Sequence, residues 1–344
     1  MTTDCEIFIE RVYPEDGLTN IPFYIIYDDE YILDGGGKNI VVTYYNATDY
    51  WDGFYFSPRG AIELSSAPYG DLSIMIIKNI TFKDTSVIKE YGDPYGQPSF
   101  STIFTLIPSG PHSTEGEEFR LNFDNVNFLN NNAISPLIFL GKQADRYLNT
   151  KSSISFKKTN FIGNKLIDVG ADVGVSGSQL SLFYFLGQSR RDNGDDILKS
   201  FILEESLIKD NLIDSSETGI RVYQECDVVS LFSFCKVKTI QSSNLPMDML
   251  DGSTFTIKDV KVLNNDFNKI LYKSGTNAYG RDGISIGLEI KAYGSFFIKG
   301  VKDSKIILEN VIIKNNEATG TTPAYMKLHS LILLSVTQND VNSP

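Results

Sequence analysis

The chain has 344 residues, 42% of them apolar and 22% charged, a balance that fits a folded chain with a sizeable core and excludes a disordered one. Acidic residues number 43 against 31 basic ones, for a formal net charge of -12. That sign argues against a nucleic-acid partner, which needs a basic surface to displace counterions from phosphate, and no apolar run is long enough for a transmembrane segment.

The chain opens Met1-Thr2-Thr3-Asp4-Cys5-Glu6, without the basic and apolar regions of a secretion signal. A cytoplasmic protein is then expected, or a mature or truncated piece of a secreted one. Cys5, Cys226 and Cys235 are too few, and odd in number, for a disulfide scaffold, and read as small buried hydrophobes. With only His112 and His329, a histidine-built metal site is excluded and a Ser-His-Asp triad has few candidates. No cofactor is expected.

The first structural signal is Asp34-Gly35-Gly36-Gly37-Lys38-Asn39-Ile40-Val41-Val42. Next comes Tyr44-Tyr45-Asn46-Ala47-Thr48-Asp49-Tyr50-Trp51-Asp52-Gly53-Phe54-Tyr55-Phe56, dense in aromatics and holding the one tryptophan. Three readings stay open for it. It caps the first repeat against edge-to-edge aggregation, it forms a protein interface, or Tyr50, Trp51 and Tyr55 stack on sugars while Asp52 accepts hydroxyl hydrogen bonds. Asn46 is a sequon position fit for N-glycosylation. Asn79 also opens a sequon, but a glycan there would collide with stacked repeats.

From residue 77 onward one nine-residue pattern recurs six times. It runs apolar, any, polar, small or β-branched, any, apolar, any, polar, then usually Asn. The copies are Ile77-Lys78-Asn79-Ile80-Thr81-Phe82-Lys83-Asp84-Thr85, then Phe123 to Asn131, Phe156 to Asn164, Leu203 to Asn211, Ile257 to Asn265 and Leu308 to Asn316. Short apolar strands are expected upstream of them at 61–64, 103–107, 137–140, 182–186, 228–234 and 286–293, with another at 331–336. Short strands in successive repeats of about 46 residues each predict a parallel solenoid.

The asparagines explain themselves in that setting. Asn tolerates the left-handed backbone that a tight corner requires, and stacked Asn side chains hydrogen-bond along a repeat axis. Asn79, Asn125 and Asn310, with Asp259, are expected at one corner, where Lys158 and Glu205 depart from the pattern. Asn131, Asn164, Asn211, Asn265 and Asn316 are expected at the end of the following strand.

Phe128-Leu129-Asn130-Asn131 and Phe161-Ile162-Gly163-Asn164 resemble the FxxN tetrapeptide of polymorphic-outer-membrane-protein-like repeats. Arg59-Gly60-Ala61-Ile62 resembles part of the companion GGAI motif, and the glycine run at 35–37 looks like the opening coil of many right-handed β-helices. The resemblance, over residues 30 to 336, implies a single-stranded right-handed parallel β-helix with an adhesive or structural role at a cell surface or outside the cell.

Chemistry-bearing clusters are sparse. Gly187-Gln188-Ser189-Arg190-Arg191-Asp192-Asn193-Gly194-Asp195-Asp196 offers Asp192, Asp195 and Asp196 as hard oxygen ligands for Ca²⁺, without the spacing of an EF-hand. The simpler reading is a polar turn whose arginines pair with its acids. Glu204-Glu205 is an acid pair, but neighbours on an uninterrupted strand point to opposite faces and cannot share a cleft unless the backbone turns there. The motifs of polygalacturonase-like and pectate-lyase-like β-helix enzymes do not occur.

The expected organisation is one elongated all-β domain. Residues 1–60 form a cap and first coil, 61–336 the repeats with long loop insertions, and 337–344 a tail. The expected role is a structural or interaction rod at a cell surface or outside the cell. It contacts other subunits or glycans and belongs to a larger assembly or a longer chain, because strand edges at an uncovered end need a cover. The alternative is a carbohydrate-active β-helix enzyme.

Overall fold

A computed structural model of the chain describes residues 30–40, 59–66, 72–84, 101–108, 117–134, 137–141, 150–167, 181–190, 194–195, 197–214, 220–222, 230–238, 252–268, 272–274, 294–299, 305–316 and 332–335. All regular structure among them is β-strand, arranged in an 11-stranded sheet, a 12-stranded sheet and a two-stranded pair. Strand pairing is parallel apart from two short contacts, Ser189 and Arg190 with Asp195 and Gly194, and Ser101 with Ile134.

Each nine-residue copy pairs with the next in register. Phe123 lies opposite Ile77 and Phe156, and Phe128 opposite Phe82 and Phe161. The register continues through Leu203, Ile257 and Leu308 on the first strand and Ile208, Val262 and Ile313 on the second. The strand Glu30–Ile40 extends the series by one copy on the N-terminal side, with Leu33 opposite Ile77 and Ile40 opposite Phe82. The nine-residue pattern misses this copy because its corner is longer. Asp34 and Lys38 stand opposite Lys78 and Ile80, so Gly35-Gly36-Gly37 takes the place of Asn79 alone.

The apolar spacing within a copy now has a cause. A strand buries every second residue, yet Phe123, Val126 and Phe128 are all buried, at spacings of three and then two. Between Phe123 and Val126 lies Asn125 with φ of 55°. One left-handed residue bends the strand and resets the alternation, so both flanking segments face the same interior. Asn79, Asp259 and Asn310 do the same, and so do Lys158 at 49° and Glu205 at 48°. The geometry of the stack holds even where the side chain does not favour it.

A second left-handed residue follows two positions after the second strand's buried anchor: Asp84, Asn130, Gly163, Asp210, Asn264 and Asn315. The asparagines of the buried file come one residue later. Three-residue strands Asn132–Ile134, Lys165–Ile167, Leu212–Asp214 and Asp266–Asn268 then stack in parallel.

The opposite wall is a further parallel series: Arg59–Ser66, Ser101–Pro108, Ile138–Gly141, Phe183–Arg190, Ser230–Lys238, Gly294–Lys299 and Ile332–Ser335. These are the upstream apolar strands, with one difference. Residues 286–293 lie outside the described residues, and the strand that pairs with Ser230–Lys238 is Gly294–Lys299, through Phe232 opposite Phe296. Both segments carry apolar residues, so composition does not choose between them.

Between the walls runs an aromatic core. Phe123 stacks on Phe156 with centroids 4.9 Å apart, and Phe128 on Phe161 at 5.0 Å. Phe82 lies 5.4 Å from Phe128 and meets Phe104 of the opposite wall edge-on at 4.9 Å. Each of these rings is fully buried, a contribution of roughly 1.5–3 kcal/mol apiece relative to exposure.

Candidate functional site

The files that the parallel register assembles along the outside and at the corners are the strongest concentration of polar chemistry among the described residues. The first is buried. Asn131 donates its backbone N–H and its Nδ2 to Oδ1 of Asn164, at 3.1 and 2.9 Å. Asn164 does the same to Asn211 at 3.0 and 2.9 Å, Asn211 to Asn265 at 3.1 and 2.8 Å, and Asn265 to Asn316 at 2.9 and 2.7 Å. Each Nδ2 also donates to a carbonyl one copy back, of Phe82, Phe128, Phe161, Ile208 and Val262 in turn. An interior rung therefore makes two donor and two acceptor bonds, its full capacity. The side-chain dipoles all point the same way along the stack.

The first corner carries shorter exposed series. Asn125 donates to Asn79 Oδ1 at 2.9 Å, Asn79 to Asp34 Oδ1 at 3.1 Å, and Asn310 to Asp259 Oδ1 at 2.6 Å. In the middle, Lys158 and Glu205 approach at 3.9 Å as an exposed ion pair. Their copies also replace the buried aliphatic that follows the corner with Thr159 and Ser206. Those hydroxyls donate to the carbonyls of Lys157 and Glu204, at 3.1 and 2.6 Å, across the bend.

Next to the corner runs a file in which charge alternates. Asp34, Lys78, Asp124, Lys157, Glu204, Lys258 and Glu309 are each in register with the next. Strand spacing of about 4.8 Å puts every charge beside two of opposite sign, or one at the ends. Lys78 contacts Asp34 at 3.3 Å and Lys258 contacts Glu309 at 3.0 Å. The Gly36 backbone N–H, then Asn79 and Lys78, hold the Asp34 carboxyl below the usual carboxylate range. Glu309 pushes the Lys258 ammonium up. A separate cluster joins Glu118 to Lys199 and Arg120, both at 2.9 Å, and those two hold the Glu118 carboxyl down. The alternating file occupies the second position of the nine-residue pattern, where any residue was expected. Its meaning depends on knowing that copies are in register.

Glu204 and Glu205 lie where the backbone turns, with φ of 48° at Glu205, so the opposite-face argument for an uninterrupted strand does not hold there. Glu205 stands 4.0 Å from Lys157 and 3.9 Å from Lys158. Tyr50, Trp51, Asp52, Tyr55 and Asn46 lie outside the described residues, as do Asp192 and Asp196. Asp195 falls in the short strand Gly194–Asp195, antiparallel to Phe183–Arg190. Among the described residues no group of three or more His, Cys, Asp or Glu is placed to hold a metal ion. Nor is any helix among them long and apolar enough to cross a membrane.

No protein-family model matches the chain, and no curated protein matches it in sequence.

Proposed function

We propose that the chain is a right-handed parallel β-helix that acts as a structural or interaction rod at a cell surface or outside the cell, within a longer chain or a larger assembly. The observation that carries this reading is how unevenly the chain varies. From one asparagine of the buried file to the next the separation is 33, 47, 54 or 51 residues. Yet the two corners flanking the second strand keep one length through the six pattern copies. All variation falls in the connections to and from the opposite wall. A constant scaffold with variable excursions suits display of loops. Parallel crossovers are right-handed in about 98% of cases, which supports the handedness. The resemblance to FxxN repeats supports the location.

The test is a panel of plant, algal and bacterial polysaccharides, with detection of new reducing ends and unsaturated products. No turnover is expected. Turnover abolished by Glu204→Gln or Glu205→Gln would replace this reading with a carbohydrate-active β-helix enzyme.

A further inference from the structure

Copies built on one pattern face a hazard that a non-repetitive fold avoids. A copy can pair with the one beyond its neighbour and leave the neighbour out, a form of the misassembly to which repeat chains are prone. The interior does little to prevent this. Phe123, Phe156, Leu203 and Ile257 are all large, apolar and buried, so each stacks about as well on its second neighbour as on its first. The buried ladder is equally permissive, since Asn211 would offer Asn131 the same carboxamide that Asn164 does. Nor do the connections forbid it, because separations of 33 to 54 residues between rungs are already accommodated.

The charged file does discriminate. Asp34, Lys78, Asp124, Lys157, Glu204, Lys258 and Glu309 set opposite signs at every nearest-neighbour contact and equal signs at every second-neighbour position. Charged residues are 22% of the chain, so a file charged in every copy does not follow from composition. The outward file two residues earlier, in the same register, keeps no such rule. It reads Ile32, Ile76, Asn122, Ser155, Ile202, Thr256 and Ile307. Pairing copies two apart would bring Asp124 against Glu204, or Lys157 against Lys258, as like charges about 4.8 Å apart. Skipping two copies restores opposite signs but leaves two sets of apolar anchors unburied.

We propose that the alternating file is a register key, which steers each copy during folding to its immediate neighbour and rejects the copy beyond. Such a key acts through the difference between right and wrong pairings, so its contacts need not be strong. Lys78 reaches Asp34 at 3.3 Å and Lys258 reaches Glu309 at 3.0 Å, exposed ion pairs that add little to stability by themselves. The inference goes beyond the rod reading and rests only on its parallel register.

The test exchanges two exposed charges of the full chain and leaves its net charge unchanged: Asp124→Lys together with Lys157→Glu. Positions 78 and 124, and 157 and 204, then become like-charged neighbours, while positions 124 and 204 attract across a skipped copy. Two cysteine reporters read the pairing. Asn122→Cys with Ile202→Cys places the thiols two strands apart in the correct register, about 9.6 Å and beyond the span of a disulfide, but side by side when the copy between is skipped. Ser155→Cys with Ile202→Cys places them side by side in the correct register. Each chain is refolded from urea under oxidising conditions, and cross-links are located by peptide mass spectrometry. The charge exchange is expected to raise the 122–202 cross-link about threefold to tenfold at low salt. In about 1 M salt, where charges are screened beyond about 3 Å, the two chains are expected to converge. An unchanged 122–202 yield overturns the proposal, and so does a rise that persists at high salt. A fall in the 155–202 cross-link without a rise in 122–202 also overturns it, since the charges then only stabilise the native contact. Failure of the fold reading is distinguishable, because the 155–202 cross-link is then absent even with every charge in place.

Discussion

Asn164 and Asn211 are 47 residues apart, yet Oδ1 of Asn211 accepts both the backbone N–H and the Nδ2 of Asn164, at 3.0 and 2.9 Å. One carboxamide thereby ties two distant segments through two bonds, in a place where neither group can reach water. Buried polar networks of this kind are stabilising only when complete, because each orphaned group costs its full desolvation.

Replacing Asn211 with Leu takes the acceptor from the Asn164 backbone N–H and from one of its two Nδ2 hydrogens. It also takes the side-chain donor from the Phe161 carbonyl and from Oδ1 of Asn265, which keeps only the backbone N–H of residue 211. The expected loss is roughly 3–5 kcal/mol. Asn316→Leu sits at the end of the file and is expected to cost about 1 kcal/mol. Urea unfolding of both variants measures the contrast, and equal losses would mean that completeness of the ladder does not matter.

Glu205 and Lys158 hold left-handed backbone without the side chain that tolerates it. Their ion pair is 3.9 Å long and exposed, so it offsets little. Glu205→Asn is therefore expected to raise stability by about 1 kcal/mol. A drop of similar size would show that the lysine contacts outweigh the backbone strain.

Gly163 and Gly252 both have positive φ, of 67° and 72°. A Cβ on Gly252 meets nothing within 4 Å, while one on Gly163 comes to 2.5 Å from Oδ1 of Asn130. Alanine at 252 is expected to cost about 1 kcal/mol from backbone strain alone. Alanine at 163 must in addition displace the exposed Asn130 side chain, whose amide can rotate aside, and is expected to cost only slightly more, about 1–2 kcal/mol. Thermal midpoints of the two variants separate strain from collision.

The lowered carboxyls of Asp34 and Glu118 contribute to the acid side of stability. A folded-state pKa below the unfolded one contributes stability that is fully present above the unfolded value and is lost as pH falls through the folded one. The loss is therefore expected below pH 4.5 for Glu118 and below 3.8 for Asp34, their ordinary values. Lys258 works in the opposite sense. Its raised pKa gives stability that is present below 10.5 and lost as pH rises through the folded value. Denaturant midpoints across pH test this, and Glu118→Gln should flatten the acid limb.

Phe128 touches aromatic rings on both sides, Phe82 at 5.4 Å and Phe161 at 5.0 Å. Phe128→Ala is expected to cost roughly 3–5 kcal/mol. Leu308→Ala, in an exposed position of the last copy, should cost well under half as much. Comparable losses would mean that Leu308 is covered in solution.

Much of the architecture was legible in the sequence because local spacing recorded it. Apolar residues at positions one and six of each copy, and at position four in four of the six, are the trace of a bend, and the asparagines mark where hydrogen bonds pass between copies. Composition told the interior from the exterior at Phe123, Val126 and Phe128 before any partner was known. Other features required the tertiary structure, since they are relations between segments 33 to 54 residues apart. The charge of Lys78 or Asp124 is unremarkable alone and becomes a pairing rule only when parallel register puts them side by side. The first copy escaped the pattern because its Gly35-Gly36-Gly37 corner carries extra residues, and only pairing with the neighbouring strand fixes its phase. Glu205 turns at its corner for the same reason: the hydrogen bond from its N–H to the Lys258 carbonyl on the neighbouring copy imposes a conformation its own side chain would not select.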